Sequence, residues 1–215
     1  MKSQTIIHPP NTTHQSSLRR LDWRFLLPAP PNGSFRHLLL CGGNAALAQQ
    51  IVTANLADQV SCEVDTTDTC YDAAVLLHNS PLTVTDVAPS LEPGAAFYQE
   101  LHRPLPSTLQ LTPTKLRRRF EQLGMTLTGI YWAAPNFDQC RRYIPLDMPD
   151  ALQWYFSSVF VAGSPLLRLT RALFRLSTRG KHHPLGLLAP CICLTAVVGA
   201  EATTPVSVLS DPHLR

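Results

Sequence analysis

The sequence predicts an α/β protein built on a mostly parallel sheet with helices on both faces, and three stretches carry that prediction. The first is an apolar run closed by glycines, Leu38-Leu39-Leu40-Cys41-Gly42-Gly43, followed directly by the alanine- and leucine-rich residues 45–52. The second is Ala73-Ala74-Val75-Leu76-Leu77, an apolar block with an acidic start at Asp72 and a polar end at His78-Asn79. Short continuous apolar runs bounded by turn residues suit strands that are buried on both faces, as parallel strands are. The third is residues 112–123, where Leu116, Phe120 and Leu123 share one helical side, charges lie between them and Gly124 stands at the C-cap position.

The totals agree with a single folded unit. A chain of 215 residues permits one domain with a substantial core. With 45% hydrophobic and 15% charged residues it is not a disordered sequence. A net charge of +3 is small, and the basic clusters Arg117-Arg118-Arg119 and Arg141-Arg142 lack interleaved aromatics, which excludes a nucleic-acid footprint. Six scattered cysteines form neither a disulfide framework nor a paired metal motif, so the expected setting is a reducing cytoplasm and the expected metal content is none. Cys191 and Cys193, with His182-His183 upstream, are best read as small buried residues of a strand. No secretory signal stands at the N-terminus. The uncharged stretch 185–200 contains Pro190 and is shorter than the roughly 20 residues a membrane span needs.

Taken in order, residues 1–17 are a polar tail and residues 18–201 the domain. Residues 18–27 form a short cover bearing Trp23 and Arg24, stopped by the turn residues 28–33. The first strand and helix occupy about 36–56, with Asn44 as N-cap. Glycine at 42 and 43 lets backbone approach a ligand above the carboxyl end of the strand, where the helix N-terminus offers N–H groups; a tight turn with no ligand is the plain alternative. Residues 60–64 read as a second strand. Its Glu63 lies roughly twenty residues past the glycines, the spacing at which a carboxylate reaches a ribose hydroxyl; Asp65 is a rival, and a merely solvated carboxylate is the alternative. Residues 71–79 are a central strand whose polar end points at the crevice. Leu91-Glu92-Pro93-Gly94 reads as a turn, residues 95–101 as a strand with Glu100 near its end, 125–132 as another strand, and 135–149 as irregular. A helical insertion at about 135–178 would hold two helices broken near Gly163-Ser164-Pro165, with a basic stripe of Arg168, Arg171 and Arg175. Residues 192–198 are a last strand and 202–215 a tail or linker.

In kind and order, Leu38–Gly43, Glu63, Tyr71–His78, Leu91–Gly94 and the helix before Gly124 with its strand ending at Tyr131-Trp132 resemble the class I S-adenosylmethionine-dependent methyltransferases. The resemblance implies a Rossmann-like sheet with a final antiparallel strand, here Cys191 to Val198. It implies S-adenosylmethionine as cofactor, with Cys41, Gly42, Gly43 and Asn44 beneath its methionine part, Glu63 on its ribose, and Leu77 and Asn79 bordering the transfer site. His78 would then be the base, a structural histidine being the alternative, and Trp23 and Arg24 would close over the site, a packing role for that pair being the alternative. The acceptor would be a small molecule; an inactive methyltransferase-like scaffold that binds a partner or is one domain of a larger protein is the second expectation. Three features depart from the family pattern: Leu40 stands in place of an acid, Asn44 and Ala46 in place of glycines, and the few residues between Glu63 and Asp72 cannot hold a third strand with its crossover helix.

Overall fold

The computed structural model describes residues 20–30, 32–64, 70–102, 112–137, 139–148, 150–151, 154–155, 158, 189 and 191–199. The two tails, Asp65, the membrane candidate other than 189 and 191–199, the arginine stripe, His182-His183 and most of the 151–176 segment fall outside the described residues. Seven strands form one sheet: β1 (Phe35–Cys41), β2 (Ala57–Ser61), β3 (Tyr71–Leu76), β4 (Leu91–His102), β5 (Met125–Ala134), β6 (Arg142–Pro145) and β7 (Cys191–Val198), in the order β2-β1-β3-β4-β7-β5-β6. β2, β1, β3 and β4 run parallel; β7 is antiparallel to both β4 and β5, and β6 is antiparallel to β5. The antiparallel final strand is therefore present at the expected place.

Each central strand feeds two cores. Leu39, Cys41, Ala74, Leu76 and Phe97 join one cluster, while Leu38, Leu40, Ala73, Val75 and Tyr98 join the other. Alternating residues of one apolar run are thus buried on opposite faces, which is why these strands read as continuous rather than alternating hydrophobics. Each such Leu or Phe contributes about 1.5–3 kcal/mol by leaving water. Helix α1 (Ala45–Thr53) packs Leu47 and Ile51 inward, helix α2 (Val84–Val87) buries both its valines, and helix α3 (Pro113–Glu121) buries Leu116 and Phe120. Phe120 meets Phe97 edge-on at 5.8 Å. A 3₁₀ turn at Arg20–Leu26 supplies the expected cover, with Trp23 buried at 5.9 Å from the Tyr98 ring.

Three expectations need correction. β2 begins and ends earlier than residues 60–64, because Asn55 takes a positive φ of 56° and turns the chain back at once, leaving Glu63 two residues beyond the strand. Glu92-Pro93-Gly94 is an interruption within β4 rather than a turn before it. Leu91 already pairs with Tyr71, and pairing resumes at Ala96 with Ala73 after Gly94, whose φ is +85°. Residues 135–149 are not wholly irregular: Arg142–Pro145 pairs with Ala134–Tyr131 as β6. Four residues with one buried side chain at Ile144 are too short to show a period. Between β2 and β3 lie only residues 62–70, and β2 is the edge of the sheet among the described residues.

Candidate functional site

The carboxyl ends of β1, β3 and β4 gather almost every residue singled out from the sequence. Cys41 closes β1, and its carbonyl accepts from the Leu77 N–H at 3.0 Å, which extends the β1–β3 pairing by one residue. Gly42 follows with φ +79°, a conformation that favours glycine. A Cβ there would lie 2.7 Å from the Ser80 nitrogen and 2.8 Å from Asn79 Oδ1, so the turn after β1 is pressed against the loop after β3. At Gly43 an added Cβ would meet only the Leu40 side chain. Asn44 caps α1 as expected, its Oδ1 accepting from the Leu47 N–H at 2.9 Å. Glu63 is exposed, and its backbone carbonyl accepts from the Tyr71 hydroxyl at 3.3 Å.

At the ends of β3 and β4 the site is made of side chains. Glu100 is buried, and its Oε2 accepts from both the His78 backbone N–H and His78 Nδ1, each at 3.1 Å; its Oε1 accepts from the Tyr98 hydroxyl at 3.3 Å. The side chain of Glu100 is 5% exposed, that of His78 27%. In a neutral ring, a carboxylate acceptor at Nδ1 selects the Nδ1–H tautomer, in which Nε2 carries the lone pair. The imidazole stacks on Phe137, from the β5–β6 connection, at 5.4 Å and 14°, with His102 flanking both rings at 6.4 Å.

Beneath Glu100 the network continues. The Tyr98 hydroxyl also contacts Cys193 Sγ at 3.2 Å, and the Tyr143 hydroxyl reaches Tyr98. Burial is the main cause that pushes up the Tyr98, Cys193 and Tyr143 groups, with neighbouring ionisable groups adding to it. Burial likewise pushes the Cys41 thiol up to about 11, Cys62 contributing less. Trp23 Nε1 is buried with no hydrogen-bond partner among the described residues, and Arg24 lies over the Phe25 ring at 4.5 Å.

The structure thus brings Cys41, Gly42, Gly43, Asn44, Leu77, His78 and Asn79 to one edge, with Glu63 past the end of neighbouring β2. Sequence reasoning noted Glu100 but not its pairing with His78, and missed Tyr98, Phe137 and Cys193 as part of the site. The available signal was the spacing of Tyr98, Glu100 and His102, which places all three on one face of β4. Among the described residues no group of three or more potential ligands could hold a metal, and no helix is long and apolar enough to cross a membrane. None of the six cysteines is in a disulfide.

The strand order and the antiparallel closing strand define a Rossmann-like α/β sheet. No family model matches the sequence, and no curated protein matches it. Solved structures with a related backbone path include a protein described as a candidate sarcosine dimethylglycine methyltransferase from Galdieria sulphuraria, 13% identical, covering 78% of this chain and 79% of that one, with a TM-score of 0.40. The StiE O-MT is 10% identical, with coverage of 87% and 75% and a TM-score of 0.41. The plantazolicin methyltransferase BpumL, solved in complex with SAH, is 10% identical, with coverage of 86% and 82% and a TM-score of 0.37. Similarity at these scores carries no argument about function, which rests on the site itself.

Proposed function

We propose that this chain is an S-adenosylmethionine-dependent methyltransferase-like protein acting on a small-molecule acceptor, with residues 135–178 as an insertion in a domain spanning 18–201. The observation that carries the reading is the His78–Glu100 pair at the carboxyl ends of adjacent parallel strands, where open α/β sheets bind their ligands. The residues present suit the cofactor. Exposed Glu63 offers a carboxylate to a ribose diol. The turn Cys41–Asn44 and the start of α1 offer backbone beside Leu77 and Asn79 to the methionine part. Bound there, S-adenosylmethionine would supply an electrophilic methyl group. The chain's own part is to align the acceptor and receive its proton. Glu100 accepts Nδ1–H and orients the ring, so Nε2 of His78 takes the proton from an O–H or N–H acceptor, a contribution of about 10²–10⁴-fold. Alignment of acceptor and methyl contributes more. A cytoplasmic setting belongs to the same proposal and is supported by the absence of disulfides.

A second reading, an inactive scaffold that binds a partner, is favoured by one observation. Ser80 and Asn79 fill the space beside Gly42, which gives that glycine a packing role that needs no ligand. Thermal unfolding with S-adenosylhomocysteine separates the two. A ligand at 100 times its Kd stabilises by about 2.7 kcal/mol, so a clear rise in Tm supports the first reading. An unchanged Tm at millimolar ligand overturns it and leaves the second.

A further inference from the structure

A groove of about 370 Å³ lies along the far edge of the sheet, where β6 meets Ala151, Trp154 and Tyr155. Its lining includes Trp154 and Tyr155, the apolar Ile144 and exposed Arg142, while the ring of Tyr143, the residue between Arg142 and Ile144, packs on the opposite face of the sheet. Trp132 holds Tyr155 in place edge-on at 5.5 Å. Trp154 is 68% exposed. A single exposed tryptophan is ordinary on a protein surface. One that shares a concave, aromatic-walled groove with an arginine has the composition of a ligand site.

The groove stands at the same end of the sheet as the candidate site but on the opposite face, since Ile144 and Tyr155 pack in one cluster and Tyr98, Phe137 and Tyr143 in the other. β5 runs parallel to β4, since each is antiparallel to β7, and β6 runs back from the carboxyl end of β5. Arg142 and Tyr143 therefore stand at the same end of the sheet as His78, and the β5–β6 connection that leads to them carries the Phe137 ring stacked on His78. The sheet between is floored by small residues. Tyr143 pairs with Ala133, and Cys193 lies between Glu100 and Tyr131, so the Tyr143 ring packs over small residues in the same cluster as Tyr98.

We propose that this groove seats the ring of an aromatic carboxylate, stacked against Trp154 and Tyr155, with its carboxylate on Arg142. Flat aromatic walls suit a planar apolar body, and a guanidinium matches a carboxylate in two parallel hydrogen bonds. Binding of such a ligand by the groove does not rest on the methyltransferase reading.

The test uses the full chain, 4-hydroxyphenylacetate as probe and its uncharged alcohol analogue 4-hydroxyphenylethanol, by calorimetry. The acid is expected to bind more tightly than the alcohol. Trp154→Ala is expected to weaken both, and Arg142→Gln to weaken the acid by about tenfold while leaving the alcohol unchanged. Both residues are exposed, so the variants should fold, and melting curves verify it. Equal binding by wild type and both variants, or no heat with millimolar acid, overturns the proposal. So does a concentration-dependent dimer that Trp154→Ala dissolves, since the groove would then be an interface between copies. S-adenosylhomocysteine affinity is measured on the same samples. Probe binding without it keeps the groove and removes the methyltransferase reading, and the converse removes the groove alone.

Discussion

Between β1 and β2 the carboxyl edge of the sheet is built from backbone: Gly42 lies against Ser80, Asn44 caps α1, and the carboxylate nearby, Glu63, is exposed. Between β3 and β4 it is built from side chains, with buried Glu100 accepting three hydrogen bonds from His78 and Tyr98. In the first region the exposed acid Glu63 can be changed without touching the fold. In the second, the group that would orient the base is also a fixed part of the core, so function and stability are coupled there.

The largest effect expected from breaking this contrast is at Gly42. Gly42→Ala combines a left-handed backbone with a Cβ 2.7 Å from the Ser80 nitrogen and should lower stability by about 3 kcal/mol in urea unfolding. Gly43→Ala needs no left-handed backbone but presses on Cγ and Cδ2 of buried Leu40, and should lower it by about 1–2 kcal/mol. Equal losses would show that the two glycines do not differ as described. Next comes Glu100→Ala, which removes the acceptor of the His78 N–H and leaves the buried Tyr98 hydroxyl with Cys193 Sγ alone of its two contacts, and should cost about 2 kcal/mol; Glu100→Gln, which keeps the shape and one acceptor oxygen, should cost about 1 kcal/mol.

An effect on the order of 2 kcal/mol is expected from alkali. The Cys41 thiol is pushed up from 9.0 to about 11 by burial, so the folded state holds its proton longer than the unfolded chain does. This contribution is complete below pH 9.0 and is lost as pH rises through about 11. Denaturant midpoints should fall across that window, and Cys41→Ala should flatten the fall; an identical slope in the variant would remove Cys41 as its source. The smallest effect is at the cap. Asn44→Ala should lower stability by about 1 kcal/mol, read from the urea midpoint.

How much of this was legible depended on whether a residue's partner lay nearby in sequence. Leu38–Cys41 and Ala73–Leu77 announced buried strands because both sheet faces are covered. Asn44 announced its cap because the partner N–H is three residues on. The Glu92-Pro93-Gly94 chemistry was read correctly as a departure from regular backbone, yet only pairing with Tyr71 and Ala73 shows that the strand continues through it. The short β6 becomes a strand only by meeting β5. The link from His78 to Glu100 spans 22 residues and arises from β3–β4 register, which no local pattern encodes.

The central claim is that the β1–β2 region holds S-adenosylmethionine through Glu63. Calorimetric titration of wild type and Glu63→Ala tests it most directly. Micromolar binding to wild type is expected, weakened by at least about 1 kcal/mol in the variant, since a hydrogen bond to a charged group contributes about 1.5–3 kcal/mol, while the Tm stays unchanged because the residue is exposed. Identical affinities, or no heat with millimolar ligand in either protein, would contradict it.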